Sequence, residues 1–474
     1  MPSASANYRT LLRTSGAAAF FLPAVVGRLG IAMTGIGIVW LVHARTGSYA
    51  AAGLVTGGFA VADAVAGPQI GRLVDRFGQA RVLPCALGAH AGAVALLLAG
   101  AVPDLVAGVL VGATLPQLSA LSAARWSALL SGERAAALPT AFALEALANG
   151  VSYMAGPALV SVLGAAGRPG AGVLLAAALV VVGGLALAAQ RRTMPPLTGP
   201  AERRHAGRAL LRSAFLRQVA LGLTLGVFFG AMQVSVAAYA VGRGTPDAAA
   251  LLYFASNCTN LVGGWAYGAW RHGGSPRRHQ AAAAACLTLA SLPLTFLDAP
   301  LAVGATLALT GLAVPVLLIR TSVLTESSVP RAVLTQAFTW GNSASAAGIA
   351  GAAAVAGRVV DAGGAHGGFG IAAGAAVVMT VLALGGLRDS SPNMPKSPAP
   401  AEDADCEPGP SDDGPPGRAA RIGRDLYRAA HRRYAQLLAV GVRTAGVKVR
   451  PDMLRWQDAK ARLRNLGAPT SRNR

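Results

Sequence analysis

Three ionisable residues stand inside otherwise apolar stretches of this sequence: Arg28, Asp63 and Glu145. A charge in hydrocarbon is costly, so such residues default to functional candidates. At a rise of about 1.5 Å per residue the two acids lie about 10 to 12 Å from the ends of their segments and Arg28 about 16 Å. A long guanidinium spans that difference. A carboxyl that is desolvated in one arrangement and paired with an arginine in another holds its proton with two strengths, which is the chemistry of a proton carrier. Glu145 is the favoured titrating group, and the rival reading is a fixed buried ion pair that selects helix register. His90 reads as a core or lipid-adjacent side chain. Cys85, Cys258, Cys286 and Cys406 are widely spaced, the first three read as small buried hydrophobes and the last as a free thiol. No Ser/His/Asp, metal-ligand or phosphate-loop pattern occurs, so neither an enzyme nor a cofactor or metal site is expected.

The elements that would hold these charges are membrane helices. Of the residues 53% are hydrophobic and only 13% charged, too apolar for a chain wetted all round. Taking about 20 residues as a span, apolar segments fall at 17–43, 48–70, 82–101, 105–123, 138–163 and 170–190, then at 214–241, 248–270, 279–297, 300–319, 335–357 and 367–387. The first is too long for a signal peptide. The expectation is an all-α integral membrane protein with twelve transmembrane helices in two pseudo-symmetric six-helix bundles, 17–190 and 214–387. A cytoplasmic N-terminus, 1–16, precedes them, and the basic stretch 191–213 joins them. A constant offset of 196 residues relates the halves, pairing Gly67, Gly78 and Arg81 with Gly263, Gly274 and Arg277, and Leu138, Ala141 and Phe142 with Leu334, Ala337 and Phe338.

The net charge of +21 is confined to short loops and a tail, which argues against nucleic acid as the partner. With the N-terminus inside, Arg9, Arg13, Arg72, Arg76, Arg81, Arg125, Arg134, Arg271, Arg277, Arg278, Arg320, Arg331 and the linker fall on the cytoplasmic side. Only Arg45, Arg168, Arg243 and Arg358 fall outside, and this bias sets the orientation. From 388 to 417 the chain is Pro-rich and acidic, a linker that cannot order itself. Within the basic tail 418–474, Ile422, Leu426, Ala430, Leu437 and Leu438 share one helical face and Arg421, Arg424, Arg428 and Arg432 another. That helix lies either on anionic lipid or in solvent.

Between the second and third spans runs Gly71-Arg72-Leu73-Val74-Asp75-Arg76-Phe77-Gly78-Gln79-Ala80-Arg81. It closely resembles the G-x-L-x-D-R-x-G-x-R/K signature of the major facilitator superfamily. The glycines are read as tight turns at helix ends. The resemblance implies that Asp75 latches the two halves in an outward-open state, on the positive N-terminal end of the eleventh helix near Leu334 and Thr335. Asp75 and Arg76 as an ordinary loop pair is the plain alternative. The second copy, Gly263 to Gly274, has no acid. On the fifth helix Gly150 and Gly156-Pro157 resemble in part the glycine-proline signature of drug:proton antiporters, with Val160 and Ser161 where further glycines would stand. That resemblance implies export.

The second half has no acid within the spans drawn above, and its polar groups are neutral: Gln233, Ser235, Asn257, Thr259, Asn260, Asn342 and Ser343. With Trp40, Phe142, Tyr153, Phe228 and Trp340 as apolar walls they would line a pocket for an amphiphilic or cationic organic compound. Gluing helices together is their plainer role. The expected function is proton-coupled efflux of such compounds by a monomer in a prokaryotic plasma membrane, with small-molecule substrate, protons and lipid as partners. The rivals are an uptake carrier of the same fold and a membrane receptor or assembly partner acting through the tail.

Overall fold

The computed structural model of the protein describes residues 8–197, 199, 202, 206–245, 248–269 and 273–388. The expected tail helix, the linker at 389–417, Cys406, Arg271 and several positions of the basic stretch lie outside the described residues.

The described chain is helical. A short α1 (Tyr8–Leu12) precedes α2 (Ala17–Thr46), α3 (Tyr49–Phe77) and α4 (Gln79–Ala99). The fourth span is split into α5 (Asp104–Ala113) and α6 (Leu118–Leu129), and α7 (Leu138–Ala165) and α8 (Pro169–Ala189) complete the first half. The second half comprises α9 (Ser213–Gly242), α10 (Ala248–Ala269), α11 (Pro276–Ser291), α12 (Pro300–Ser328) and the long α13 (Leu334–Arg388). Among the described residues nine helical stretches are long and apolar enough to cross a bilayer. The last of them is two runs joined at Gly364, whose φ of 73° and ψ of −176° only glycine adopts readily. With α10, α11 and that division the helices fall at the twelve expected places, six in each half.

Small residues set the packing, as expected where lipid is as apolar as leucine and close van der Waals fit drives association. A Cβ on Gly183 would stand 2.4 Å from Gly27 N, and one on Gly226 would stand 2.1 Å from Ser345 O. The first and sixth spans of one half, and the seventh and eleventh of the other, therefore touch backbone to backbone. Loop signals are equally local. Gly78, at φ 88°, turns α3 into α4, and the Ser48 hydroxyl accepts from Ala51 N to start α3.

Several expectations are corrected. Gly71 is not at a turn but inside α3. Arg125 and Arg320 are not loop arginines: each is buried in a helix that runs past the point where hydropathy alone would end it. The second half does carry acids on its helices, Glu326 on α12 and Asp361 on α13, for the same reason. Cys85 and Cys286 are exposed on helix surfaces, where a thiol sits as comfortably against lipid as in a core.

Candidate functional site

The motif between the second and third spans meets the other half. The Asp75 carboxylate accepts from the backbone amides of Gln336 at 2.8 Å and Thr335 at 3.3 Å, two of the amides that the first turn of α13 leaves without an intrahelical partner. A negative charge on that positive helix end is favourable. Arg76 does not claim the acid; its guanidinium lies over Phe77, 4.9 Å from the ring centroid. One turn back, a Cβ on Gly71 would stand 2.5 Å from Thr339 Oγ1 and 3.0 Å from Gln336 Cα, so Gly71 lets the two helices close. Pro195, Pro196 and Leu197 of the linker and Arg331 ring this contact, leaving only about 20 Å³ of free space. Arg81 is exposed.

Other bonds between the halves lie towards the same end. Tyr8 OH donates to Trp265 O at 3.0 Å and Gly264 O at 3.3 Å, Asn342 Nδ2 donates to Ser119 Oγ at 3.2 Å, and the rings of Phe142 and Phe338 stand 5.8 Å apart. One apolar core there draws on both halves, including Leu138, Phe142, Leu334 and Phe338. Away from the motif the cores belong to single halves, one around Ile38, Val55 and Val111 and another around Val236, Val303 and Phe369. Among the described residues the core shared by the halves thus lies at the motif end, and the cores beyond it are each built from one half.

Of the three charges the structure brings two together. Arg28 forms a salt bridge with Glu145, both nearly buried. The Ser122 hydroxyl donates to Glu145 Oε1 at 2.5 Å, and Arg28 donates to Asn149 Oδ1 at 3.5 Å. Asp63 is apart: its Oδ1 accepts from Gln117 Nε2 at 2.8 Å. Gly156, beside Pro157, packs on the same α2 face, where a Cβ would meet Ala32 Cβ at 3.0 Å. Gly150 faces the second half instead, with Leu261 Cδ2 3.0 Å from its Cβ position.

The pocket candidates do not converge. Trp40 packs against Gly164 within the first half. Gln233 lines a groove of about 890 Å³ at the far end of the second half, with Arg243, Asp298, Asp361 and His366. Asn257 bonds back to Tyr253 O on its own helix, and Asn260 stands half-buried on the same helix. Trp340 is exposed, and Asn342 serves the contact with Ser119.

Sequence reading missed Ser122, Gln117 and Tyr8, and it misplaced Arg125. That arginine, wholly buried, donates to Gln79 Oε1 at 2.7 Å, Gln190 O at 2.7 Å and Leu187 O at 2.9 Å. It clamps the carbonyl end of α8, where positive charge is favoured. Asn149, one turn after Glu145, was detectable by its i, i+4 spacing.

Comparison with solved structures shows the same architecture. The human organic anion transporter MFSD10 (TETRAN) superimposes with a TM-score of 0.59 at 16% identity, covering 77% of this chain and 98% of that one. A bacterial homologue of the iron transporter ferroportin, in an outward-facing state with soaked iron, gives 0.62 at 12% over 78% and 98%. The transporter FucP in the outward conformation gives 0.58 at 17% over 78% and 97%. Comparison with curated proteins finds no match. The family model of the Major Facilitator Superfamily matches residues 20–313, more than half of the chain, and the protein therefore belongs to the Major Facilitator Superfamily, a multi-pass membrane protein with the fold of membrane transporters.

Proposed function

We propose that the protein is a secondary transporter, not an enzyme, that works by alternating access and exports small amphiphilic or cationic organic compounds in exchange for protons. The observation that carries alternating access is the seal at one end only: Asp75 on the α13 amides, with separate cores beyond it. Two pseudo-symmetric bundles rocking about a central site are the device for such transport. The arginine-rich loops put the sealed end, both chain ends and the 191–213 linker in the cytoplasm of a cell whose plasma membrane the monomer spans, so the state described is outward-facing. The similar solved structures are named for organic anions and for iron, so the fold does not choose the cargo and the residues between the halves must. Efflux and proton exchange are supported by the helix-five glycines and by the Arg28–Glu145 pair, whose carboxylate would take a proton when the arginine withdraws.

The latch is tested with Asp75→Asn. Losing the charge at a helix terminus shifts the balance by about 1 to 2 kcal/mol towards the inward-open state, or roughly fivefold to thirtyfold. The variant reaches the membrane in normal amount, transports more slowly, and exposes a cysteine placed at Thr339 to a thiol reagent from the motif side. Normal turnover with unchanged accessibility refutes the latch.

A further inference from the structure

Along α3 the residues Val55, Phe59, Asp63, Gly67, Gly71 and Asp75 recur at every fourth position. Each such step turns about 40° around a helix of 3.6 residues per turn, so the row winds about halfway round from end to end. Its contacts follow the winding. A Cβ on Gly108 would stand 2.6 Å from Val55 Cγ1, and one on Gly112 would stand 2.1 Å from Phe59 O, so the first two positions press on α5 of the same half. The last three meet α13 of the other half: a Cβ on Gly67 would stand 3.0 Å from Ser343 Oγ, Gly71 abuts Thr339, and Asp75 takes the amides of Thr335 and Gln336. Asp63 occupies the changeover, one turn beyond Gly67, the last position of the row that meets α13.

Its partner comes from a broken helix. The fourth span is interrupted between Ala113 and Leu118, around Pro116, and Gln117 closes that break. The Gln117 amide that donates to Asp63 would also stand 3.2 Å from a Cβ on Gly67, so acid, break and opposite half meet at one point. The break brings the carboxyl end of α5 and the amino end of α6 together, so their dipoles offset and the charge of the site rests with Asp63 itself. Interrupted helices in the membrane are tolerated where they line a cavity, and in transporters they mark ion and substrate sites. Among the described residues no basic group pairs with Asp63, whereas Glu145 is neutralised by Arg28. The half-buried Asp63 is therefore the uncompensated negative charge of this region. Tyr153, two turns beyond Glu145 on α7, is 65% exposed and stands within electrostatic reach of both Asp63 and Arg28, supplying an aromatic face for a cation.

We propose that Asp63, at the break in the fourth span, binds the positive charge of a transported organic cation, with Tyr153 as the aromatic wall beside it. This rests on the transporter reading, and it separates the roles of the two acids: Asp63 holds cargo while Glu145 trades between Arg28 and a proton. Because Asp63 is one turn from Gly67, a bound cation sits directly above the contact that must open for release or loading.

The test is equilibrium binding of tetraphenylphosphonium, ethidium and tetraethylammonium to the purified full-length protein. The wild type should bind at least one saturably, Asp63→Asn should weaken that binding about tenfold or more, and Asp63→Glu should restore part of it. Should Asp63→Asn fail to fold by size exclusion, the pair Tyr153→Leu and Tyr153→Phe decides, the first weakening binding about threefold to tenfold and the second leaving it near wild type. Unchanged binding in folded Asp63→Asn, equal binding by Tyr153→Leu and wild type, or no saturable binding of any of the three cations overturns the proposal. An Asp63→Asn protein that binds cations normally but loses the pH dependence of flux would make Asp63 a proton carrier instead, and this also overturns it. The accessibility change in Asp75→Asn is independent of the cation. If it occurs while cation binding fails, only the present inference falls; if it is absent, it is the latch that falls.

Discussion

At the scale of single residues the buried pair Arg28–Glu145 decides between coupling and architecture. If Glu145 exchanges a proton during the cycle, Glu145→Gln keeps downhill substrate exchange in proteoliposomes and loses flux driven by a pH gradient. If the pair only fixes helix register, the same variant strands a buried guanidinium at a cost of roughly 3 to 5 kcal/mol and reaches the membrane in reduced amount. Flux and abundance measured together separate the two, and the coupling reading requires the first pattern. The acids themselves were legible in the sequence because a charge in an apolar run is conspicuous. Their partition was not. Depth along a helix can be counted from the sequence, but azimuth depends on how α2, α3 and α7 rotate against one another, and that rotation sends Asp63 to Gln117 and Glu145 to Arg28.

At the scale of elements hydropathy located the twelve spans, missed the short α1 and misjudged several ends. It stopped the fourth span before Arg125 and the tenth before Arg320, because a window average falls at any charge, paired or not. In the folded chain Arg125 spends its guanidinium on Gln79 and on the carbonyls of Leu187 and Gln190, so helix α6 continues to Leu129. A point charge on a flexible stem does not reproduce that planar fork. Arg125→Lys should lower resistance to denaturant by roughly 2 to 3 kcal/mol, read as the midpoint of loss of helical signal in detergent titrated with dodecyl sulfate. A midpoint equal to that of wild type would show that the clamp contributes nothing. The break at Pro116 was likewise missed, since Thr114, Pro116 and Gln117 are averaged away in a window of about 20 residues even though the proline itself marks a break.

At the scale of the whole molecule the repeat offset and the motif carried the architecture, because both survive in sequence without knowledge of side-chain direction. The asymmetry between the halves showed in the missing acid of the second copy, but what takes its place did not. Asp75 grips α13, while the second copy lacks the acid and the contact on that side falls to Tyr8 of α1, whose hydroxyl donates to carbonyls of α10. Orientation is the prediction that belongs here. In a protein cleared of native cysteines, Leu301→Cys should react with an impermeant thiol reagent added to intact cells, and Leu197→Cys should react only after lysis. Both side chains are exposed. The reverse pattern would invert the topology.

The bond from Tyr8 to Gly264 also sets an order of events during synthesis, since 256 residues separate its partners. At about 5 to 20 residues per second the ribosome makes α1 roughly 13 to 50 seconds before the carbonyl it will hold exists. For that interval the first half must remain in the membrane with its Phe142 and Gly71 surfaces unmatched, and the chain's earliest segment is among the last to find its place.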